Sequence, residues 1–280
     1  MSELKNKIDF TALVSVKMAN SNGDPLNGNR PRIDYDGFGE ISDVCIKRKI
    51  RNRMQDMGYR IFVQSADRSD DGCTCLRERA KMIAQTGSRE EYAKLACQTW
   101  MDVRSFGQVF AFKSKESEDV SGGIRGPVSI HQAVSVFPIE VRSMQITKSV
   151  NSEPGEKRGS DTMGMKHFVR YGFYRIKGAI NVQLAEKTGF SYEDAQIIKE
   201  CLRTLFVNDA SSARPDGSME VYRLYWWEHN SKIGQYSSAQ VHRLVDVQLK
   251  QGLEEASDID DYEITLHTLP DLQCEVIDGV

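Results

Sequence analysis

The stretch NSNGDPLNGNRPRIDYDGFGEISDVCIKRKIRNRMQ, residues 20–55, joins a polar, turn-rich loop to a strongly basic segment. Asn and Gly tolerate positive φ and Pro fixes its own φ, so residues 22–29 predict a loop and neither a strand nor a helix. The loop also carries Arg30 and Arg32. A planar guanidinium group matches phosphate oxygens, which makes these two residues candidate phosphate contacts.

The basic segment predicts a helix from about Ile41 to Met57, followed by Gly58 at the position of a C-terminal cap. Its buried stripe is formed by apolar residues at helical spacing: Ile46, Ile50, Met54 and Met57. Bases at positions 47, 48, 49, 51 and 53 outnumber Asp43 and Asp56 by three charges. A solvated basic face is the ordinary interpretation of such a helix. The adjoining loop favours a phosphate-binding surface that includes Lys47, Arg48 and Arg51.

The net charge of −3 hides an uneven distribution along the 280 residues. Residues 246–280 hold ten acidic side chains and one lysine, a net −9, which leaves +6 for residues 1–245. The local field attracts a polyanion, so the overall charge does not exclude nucleic-acid binding. The acidic segment is either a solvated end or a surface that docks on the basic face of a neighbouring copy.

The sequence contains no run of about 20 apolar residues and no apolar signal-peptide centre, so we expect a cytoplasmic protein without a membrane span. Its six cysteines include one close pair, Cys73 and Cys75, without a second pair at zinc-finger spacing. The five histidines are scattered, and no common catalytic or nucleotide-binding motif is complete. We therefore expect no catalytic residue, metal or cofactor.

One catalytic alternative stays open. Asp24, Asp34 and Asp36 lie in the early loop, and carboxylates beside bound RNA can support metal-dependent cleavage. A metal-dependent RNA endonuclease is therefore the enzymatic rival of a binding protein.

Alternating and β-rich segments predict a sheet. The first, Phe10–Met18, reads as a half-buried strand. Later strands are predicted at 134–147, 171–184, 221–228, 241–247 and 262–266, and a helix that buries Ile198, Cys201, Leu202 and Leu205 begins at Ser191 with Asp194 as its capping partner. The order strand, helix, strand, strand, helix, strand is that of a split βαβ unit. The predicted fold class is α+β: one RRM-like or ferredoxin-like palm with an antiparallel sheet, spanning residues 1–280.

Two insertions interrupt this plan. Residues 60–130 form the first, with a helix predicted over 74–85 and another opened by a Ser88–Glu91 capping box. The second, 148–169, is too long for a simple hairpin turn and predicts an arm that stands out from the sheet. Residues 142–177 carry a surplus of five positive charges, with Met163 and Met165 near the end of the arm. On their own these methionines can pack under the arm or against a neighbour.

Aromatic residues mark the strand at 221–228. Arg223, Tyr225 and Trp227 share one face, where they can stack on bases. Packing between structural elements is the favoured interpretation, because aromatic side chains dominate cores.

Several motifs together resemble one known family. NSNGDPLNGNRPR and GFGEISDVCIKRKIRNR at residues 20–53, DVRSFGQVFAF at 102–112, RGPVSIHQA at 125–133 and NDASSARP at 208–215 are similar to the backbone subunit of the type I-C CRISPR interference complex, Cascade. That subunit belongs to the Cas-seven family of RAMP-type proteins. The resemblance implies a non-catalytic scaffold that polymerises along CRISPR RNA and leaves bases free to pair with target DNA.

The resemblance also implies the anatomy and the partners. The insertions become a finger region and a thumb β-hairpin that displaces bases at intervals, with Met163 and Met165 as its candidates. The expected partners are CRISPR RNA, target DNA by way of the guide, copies of the chain head to tail, and the Cas-five, Cas-eight and small subunits. The predicted RNA-binding set is Asn20, Asn22, Arg30, Arg32, Lys47, Arg48, Arg51, Arg104, Arg125 and Lys166. A stand-alone single-stranded RNA-binding module is the second rival.

Overall fold

A computed structural model describes residues 2–83, 88–110, 122–147 and 163–280 as a mixed α+β structure. In chain order its strands are β1 (Ile8–Ala19), β2 (Gly23–Asp24), β3 (Arg30–Pro31), β4 (Phe38–Ile41), β5 (Gly107–Phe110), β6 (Gly122–Arg125), β7 (Val128–Ile130), β8 (Ala133–Pro138), β9 (Val141–Thr147), β10 (Met163–Ile180), β11 (Met219–Glu228), β12 (Val245–Leu249), β13 (Tyr262–Leu266) and β14 (Glu275–Asp278). Its α-helices are α1 (Asp43–Asp56), α2 (Leu76–Ala80), α3 (Arg89–Thr99), α4 (Met101–Phe106), α5 (Val182–Thr188), α6 (Tyr192–Arg203) and α7 (Ser238–His242).

The main sheet is antiparallel and is built around β1. Its strand order is β14-β11-β1-β10-β8-β4, and β7 and β9 also pair with β10. In the registers on either side of β1, Ala12 lies opposite Ile176 of β10 and Leu224 of β11. The predicted antiparallel sheet and α+β class are therefore confirmed.

The interpretation of β1 as a half-buried strand was wrong. Phe10, Ala12 and Val14 are buried on one face, and Thr11 and Leu13 are equally buried on the other. The alternation in sequence is real, but both faces of the strand are covered. One face meets helices and the other meets the C-terminal part of the chain.

Helices α1, α5 and α6 cover the first face. As predicted, Ile46, Ile50 and Met54 of α1 are buried there, and Ile198 and Leu202 of α6 face them from the same core. The predicted helix start is also confirmed: Ser191 and Asp194 form a capping box that satisfies exposed N–H groups of the first turn. Gly58 follows α1 with φ of +85°, which agrees with its predicted capping position.

The C-terminal segment covers the second face. The β12–β13 hairpin and α7 enclose a core that contains Leu13, Tyr171, Phe173, Tyr225 and Trp227. The predicted strand at 241–247 is instead the end of α7 followed by β12, whereas β13 matches its prediction. The acidic residues of 246–280 belong to a folded part of the molecule, and β14 extends the main sheet by pairing with β11.

A buried polar group fastens this cover to β1. Asp9 and His229 are both fully buried, with 2.8 Å between Oδ2 and Nε2. Because the Gln235 backbone N–H donates to His229 Nδ1, Nε2 carries the proton that is donated to Asp9. His242 Nε2 lies 3.0 Å from the carbonyl oxygen of Gly178 in β10. His242 on α7 therefore holds the second layer on the sheet, and His229 links the end of β11 to β1.

Residues 62–124 contain a separate small core. Phe62, Tyr92, Trp100 and Phe110 pack together there, with α3 opened by the predicted Ser88–Glu91 capping box. Within the described residues, α2 spans only part of the helix predicted over 74–85, and residues 84–85 lie outside the described ranges. The next strand, β7, already pairs with β10 of the main sheet.

An arm is built from β9 and the first third of β10. Their ladder runs from Val141 opposite Val169 to Thr147 opposite Met163, and residues 148–162 of the predicted thumb lie outside the described ranges. The strand predicted at 134–147 is divided into β8 and β9 after Pro138, because proline cannot donate to a ladder. The strand predicted to reach Leu184 ends at Ile180, where Asn181 caps α5.

The small core rests on a charged pair whose strength depends on pH. Arg79 is almost fully buried, donates to Asp71 Oδ1 at 2.8 Å and to Phe62 O at 3.0 Å, and lowers the pKa of Asp71 from 3.8 to about 2. Stability from an ionised carboxylate with a depressed pKa is complete above the unfolded pKa and is lost as the pH falls through the folded pKa. In urea unfolding, wild type should therefore exceed Asp71→Asn in stability at neutral pH, and the difference should vanish between roughly pH 4 and pH 2. An exposed control, Asp216→Asn, should show no such convergence. A difference that does not change with pH would contradict the assignment.

Candidate nucleic-acid interface

The loop after β1 is held by two asparagine side chains. Asn20 is buried: its backbone N–H donates to Ala213 O at 2.9 Å, and its side-chain Nδ2 donates to Asn29 O at 2.7 Å. Asn22 Oδ1 accepts the backbone N–H of Ser42, the N-cap of α1, at 2.9 Å. Both amides therefore organise the loop from within. The structure places them behind the surface that the loop presents.

The loop also uses its carboxylates locally. Asp24 accepts from Leu26 N at 3.2 Å, and Asp34 accepts from Asp36 N at 3.0 Å and from Phe38 N at 2.8 Å. Short side-chain to backbone bonds of this kind shape turns. Across the described ranges, no group of three or more His, Cys, Asp or Glu side chains is arranged to hold a metal ion.

Arg30 and Arg32 point the loop's charge outwards. Arg30 is exposed, and no carboxylate of the described residues forms an ion pair with it. The Arg32 side chain is 37% exposed, with Nη2 3.4 Å from Asp24 Oδ1. A half-exposed pair of this kind contributes little to stability, so its guanidinium can exchange the carboxylate for another anion at small cost.

Most of the basic side chains of α1 have partners inside the protein. The pairs are Lys47 with Asp43, Lys49 with Asp209, Arg51 with Asp102 and Arg53 with Asp56. Lys47 keeps a quarter of its surface exposed, and its partner one turn earlier holds it weakly. Arg48 is half-buried on the side of the inserted region, and burial and the charge of Arg51 lower its pKa. Few of the five basic side chains of α1 are therefore accessible to a ligand, although the sequence gives this helix a surplus of three positive charges.

Arg51 belongs to a structural ion pair. Its Nε lies 2.9 Å from Asp102 Oδ2, and the same carboxylate accepts the backbone N–H groups of Phe62 and Val63 at 2.6 and 3.0 Å. Arg51 also stacks over the ring of Phe106 at 5.1 Å. These contacts join α1 to the inserted region, and they occupy the group that the sequence suggested for phosphate.

Arg104 is engaged in the same way. Its Nε and Nη2 donate to the two oxygens of Asp194 at 2.9 and 2.8 Å, and Asp194 is 2% exposed. This two-point pair links α4 to the first turn of α6. Sequence reasoning recognised Asp194 as a cap but could not reveal that a distant arginine shares it.

The two remaining predicted cations lie on other parts of the molecule. Arg125 is exposed at the end of β6, and Lys166 is half-buried on β10 within the arm. Neither has an ion pair with the loop of residues 20–42 among the described contacts. The predicted set therefore divides into the loop and α1, the inserted region, and the arm.

The arm has two distinct faces, because side chains alternate along paired strands. Met163 and Met165, 59% and 55% exposed, lie opposite Thr147 and Gln145 on one face. Lys166 lies opposite Met144 on the other face, where Ile146 is also half-exposed. The structure therefore separates Lys166 from the two methionines.

The strand of aromatics at 221–228 does not offer a stacking platform. Tyr225 and Trp227 are 2% and 1% exposed beneath the C-terminal cover, as the packing interpretation requires. Arg223 lies beside Asp278 of β14 at 3.4 Å.

The sequence did not predict that residues 208–218 contribute side chains next to this loop. Residues 208–218 lie against the end of β1, where Lys17 N donates to Ser218 O and Asn20 N donates to Ala213 O. This places Asp209 and Arg214 next to α1. The motif NDASSARP was noticed in the sequence, but nothing local to it indicates which distant loop it meets.

The fold and this surface describe a protein with a large antiparallel sheet whose central strand leads into a cationic loop. The family model for CRISPR-associated protein Cas7 matches residues 6–267, so the chain belongs to that family. A curated relative, CRISPR-associated protein Cas7 of Haloferax volcanii, is 24% identical over 82% of this chain and 73% of its own length.

A solved structure shows the same fold. A chain of a CRISPR RNA-guided surveillance complex in a pre-nicking state matches with a TM-score of 0.51 and 17% identity, over 84% of this chain and 79% of that one. A chain of another CRISPR RNA-guided surveillance complex matches with a TM-score of 0.47 and 18% identity, over 79% and 68%. Within the described ranges, none of the helices has the length and apolar character needed to cross a membrane.

The structural role of Arg51 can be separated from RNA binding by stability measurements. Asp102→Ala removes the acceptor of two backbone N–H groups and leaves a mostly buried guanidinium without its partner. The free energy of unfolding should fall by about 3–5 kcal/mol in urea titrations. Arg30→Gln, at an exposed position, should stay within about 0.5 kcal/mol of wild type. Equal stability of Asp102→Ala and wild type would show that the pair is not structural.

Proposed function

We propose that this chain is a non-catalytic CRISPR RNA-binding scaffold subunit of a type I-C Cascade, which oligomerises along the guide and presents it for pairing with target DNA in antiviral defence. Membership of the Cas7 family supports this, and the observation that carries it is the exposed cationic loop at the end of the buried central strand. Internal hydrogen bonds of Asn20 and Asn22 hold this loop, and Arg30 is exposed on its surface. Such a loop suits a ligand with a repeating phosphate backbone.

The architecture supports an RRM-like palm with two additions. In the main sheet, four neighbouring strands follow the order β11-β1-β10-β8. This is the strand order expected of a split βαβ unit, and α1 and α6 pack on one face of it. The separate core within residues 60–130 supports the finger region, and the ladder of β9 with residues 163–169 supports a thumb that includes the predicted residues 148–169. The sheet face that would carry bases in a simple RRM is covered here by β12, β13 and α7.

The RNA contacts that we propose form a shorter set than the sequence suggested. Arg30, Arg32, Lys47 and Arg48 grip phosphates at the loop and α1, and Arg125 and Lys166 approach the strand from the finger and the thumb. Asn20 and Asn22 hold the loop in shape. Arg51 and Arg104 act as structural cations, because buried carboxylates already occupy them.

The thumb face with Met163 and Met165 is the proposed wedge. Inserting an apolar side chain between bases costs a few kcal/mol of stacking, which new contacts offset. The partners that we propose are neighbouring copies joined head to tail, which gives an open filament, together with the Cas-five, Cas-eight and small subunits in the cytoplasm.

Removal of two exposed charges should weaken RNA retention without regard to guide sequence. In single-stranded RNA, each phosphate contact contributes roughly 0.7 to the slope of log K against log salt. Arg30→Gln with Lys47→Gln should therefore flatten the slope by about 1.4. Lys5→Gln with Lys232→Gln is the matched control, since those residues lie near the opposite end of β1.

A cleavage assay and an assembly assay decide between the rivals. Labelled RNA incubated with the purified protein and Mg²⁺ should remain intact, and cleavage that disappears in Asp24→Ala would support the endonuclease instead. Ordered multi-copy assembly should grow with RNA length, whereas a stand-alone module would stay at one copy per site. An unchanged salt slope in the double variant would remove the loop from the RNA site.

The wedge assignment depends on the two faces of the thumb. Met163→Ser with Met165→Ser should abolish the periodic reactivity of displaced bases in chemical probing of assembled RNA, with assembly itself retained. Met144→Ser with Ile146→Ser alters the opposite face by a similar loss of apolar surface and should leave the periodicity intact. Loss of periodicity in the second variant alone would assign the wedge to the other face.

A further inference from the structure

Asp209 stands between two cations at the edge of α1. Its Oδ2 is bonded both to Lys49 Nζ and, at 3.2 Å, to Arg214 Nε. Lys49 is 4% exposed and lies over the ring of Phe206, whereas Arg214 is 29% exposed. One carboxylate therefore serves a buried cation and a partly exposed cation through a single oxygen.

The charge of this group is unbalanced. Burial lowers the pKa of Lys49, and Asp209 opposes that effect by stabilising the charged form. A buried ammonium needs a partner of opposite charge, so Asp209 compensates Lys49 first. The positive charge of Arg214 is then left over at the surface.

A second arginine faces the same place. Burial raises the pKa of the Cys45 thiol on the first turn of α1, and the charges of Lys49, Arg214 and Arg32 lower it, so both arginines act on the same position. The backbones agree with this proximity. Asn20 bonds to Ala213 beside Arg214, and Asn22 O accepts the N–H of Arg32. The loops that carry the two arginines are therefore both tied to residues 20–22, just before the segment that leads into α1.

We infer that Arg214 and Arg32 form a phosphodiester-binding subsite, with Asp209 and Lys49 as positioning residues that hold the Arg214 loop against α1. The inference rests on the proposed RNA-binding function and adds to it a residue on a second wall of the site. A phosphodiester carries one charge over two free oxygens, which suits two guanidinium donors that approach from different loops. The ion pair between Arg32 and Asp24 is long, at 3.4 Å, and both side chains are partly exposed. A phosphate group can therefore displace the Asp24 carboxylate from Arg32.

The test compares three single variants for binding to single-stranded RNA at several salt concentrations. Arg214→Gln should lower affinity and flatten the salt slope by about 0.7, the value of one lost contact. Arg214→Lys should keep the slope, because the charge remains, but should bind more weakly than wild type, because the two-point geometry is lost. Arg243→Gln is the matched control, since Arg243 is exposed after α7 near the other end of the sheet.

The outcomes separate this inference from the proposed function. If Arg30→Gln with Lys47→Gln flattens the slope and Arg214→Gln does not, the subsite is wrong and the RNA-binding function stands. If neither flattens it, both are wrong. If Arg214→Gln leaves the slope unchanged but weakens association of copies without RNA, Arg214 binds a carboxylate of a neighbouring copy, which overturns the phosphate assignment. Urea unfolding of Arg214→Gln should match wild type, because the side chain is partly exposed and Lys49 retains Asp209.

Discussion

Burial of β1 on both faces is the constraint on which the other features depend. A strand covered by helices on one side and by the C-terminal hairpin on the other has a fixed register and a fixed direction. The chain leaves it at Asn20, whose hydrogen bonds to Asn29 and Ala213 tie two loops to the strand end. The backbone that carries the cationic surface is thus fixed to a strand buried on both faces, so it needs little ordering when a ligand arrives.

Electrostatics in this chain are decided by burial more than by composition. Arg51 and Arg104 sit against carboxylates that are almost fully buried, so their charge is used to join elements. The acidic C-terminal residues are partly used in the same way, as Lys17 with Asp258 and Lys199 with Glu275 show. The net charge of −3 therefore says little about any one surface, because many of the cations that composition counts are already paired inside the protein.

Much of the fold could be read from local pattern. The helix stripe of Ile46, Ile50 and Met54, the capping boxes and the later strands follow from spacing and turn chemistry, which act over a few residues. The errors have a common physical origin in contacts between distant residues. Thr11 and Leu13 are buried by a hairpin more than 200 positions away, and Asp102 reaches Arg51 across the insertion. For the same reason the sequence could suggest Arg30 as an exposed cation but could not place residues 208–218 against the end of β1.

The unbroken course of β10 has a mechanical consequence. Its 18 residues span roughly 60 Å at about 3.3 Å each, and one strand serves both the central sheet and the arm. An arm that shares a strand with the core cannot pivot at a loop, so its described residues, 141–147 and 163–169, stay at a set height above the body. If identical copies were arranged in a row, their arms would then lie at a regular spacing, and that spacing would equal the thickness of one subunit.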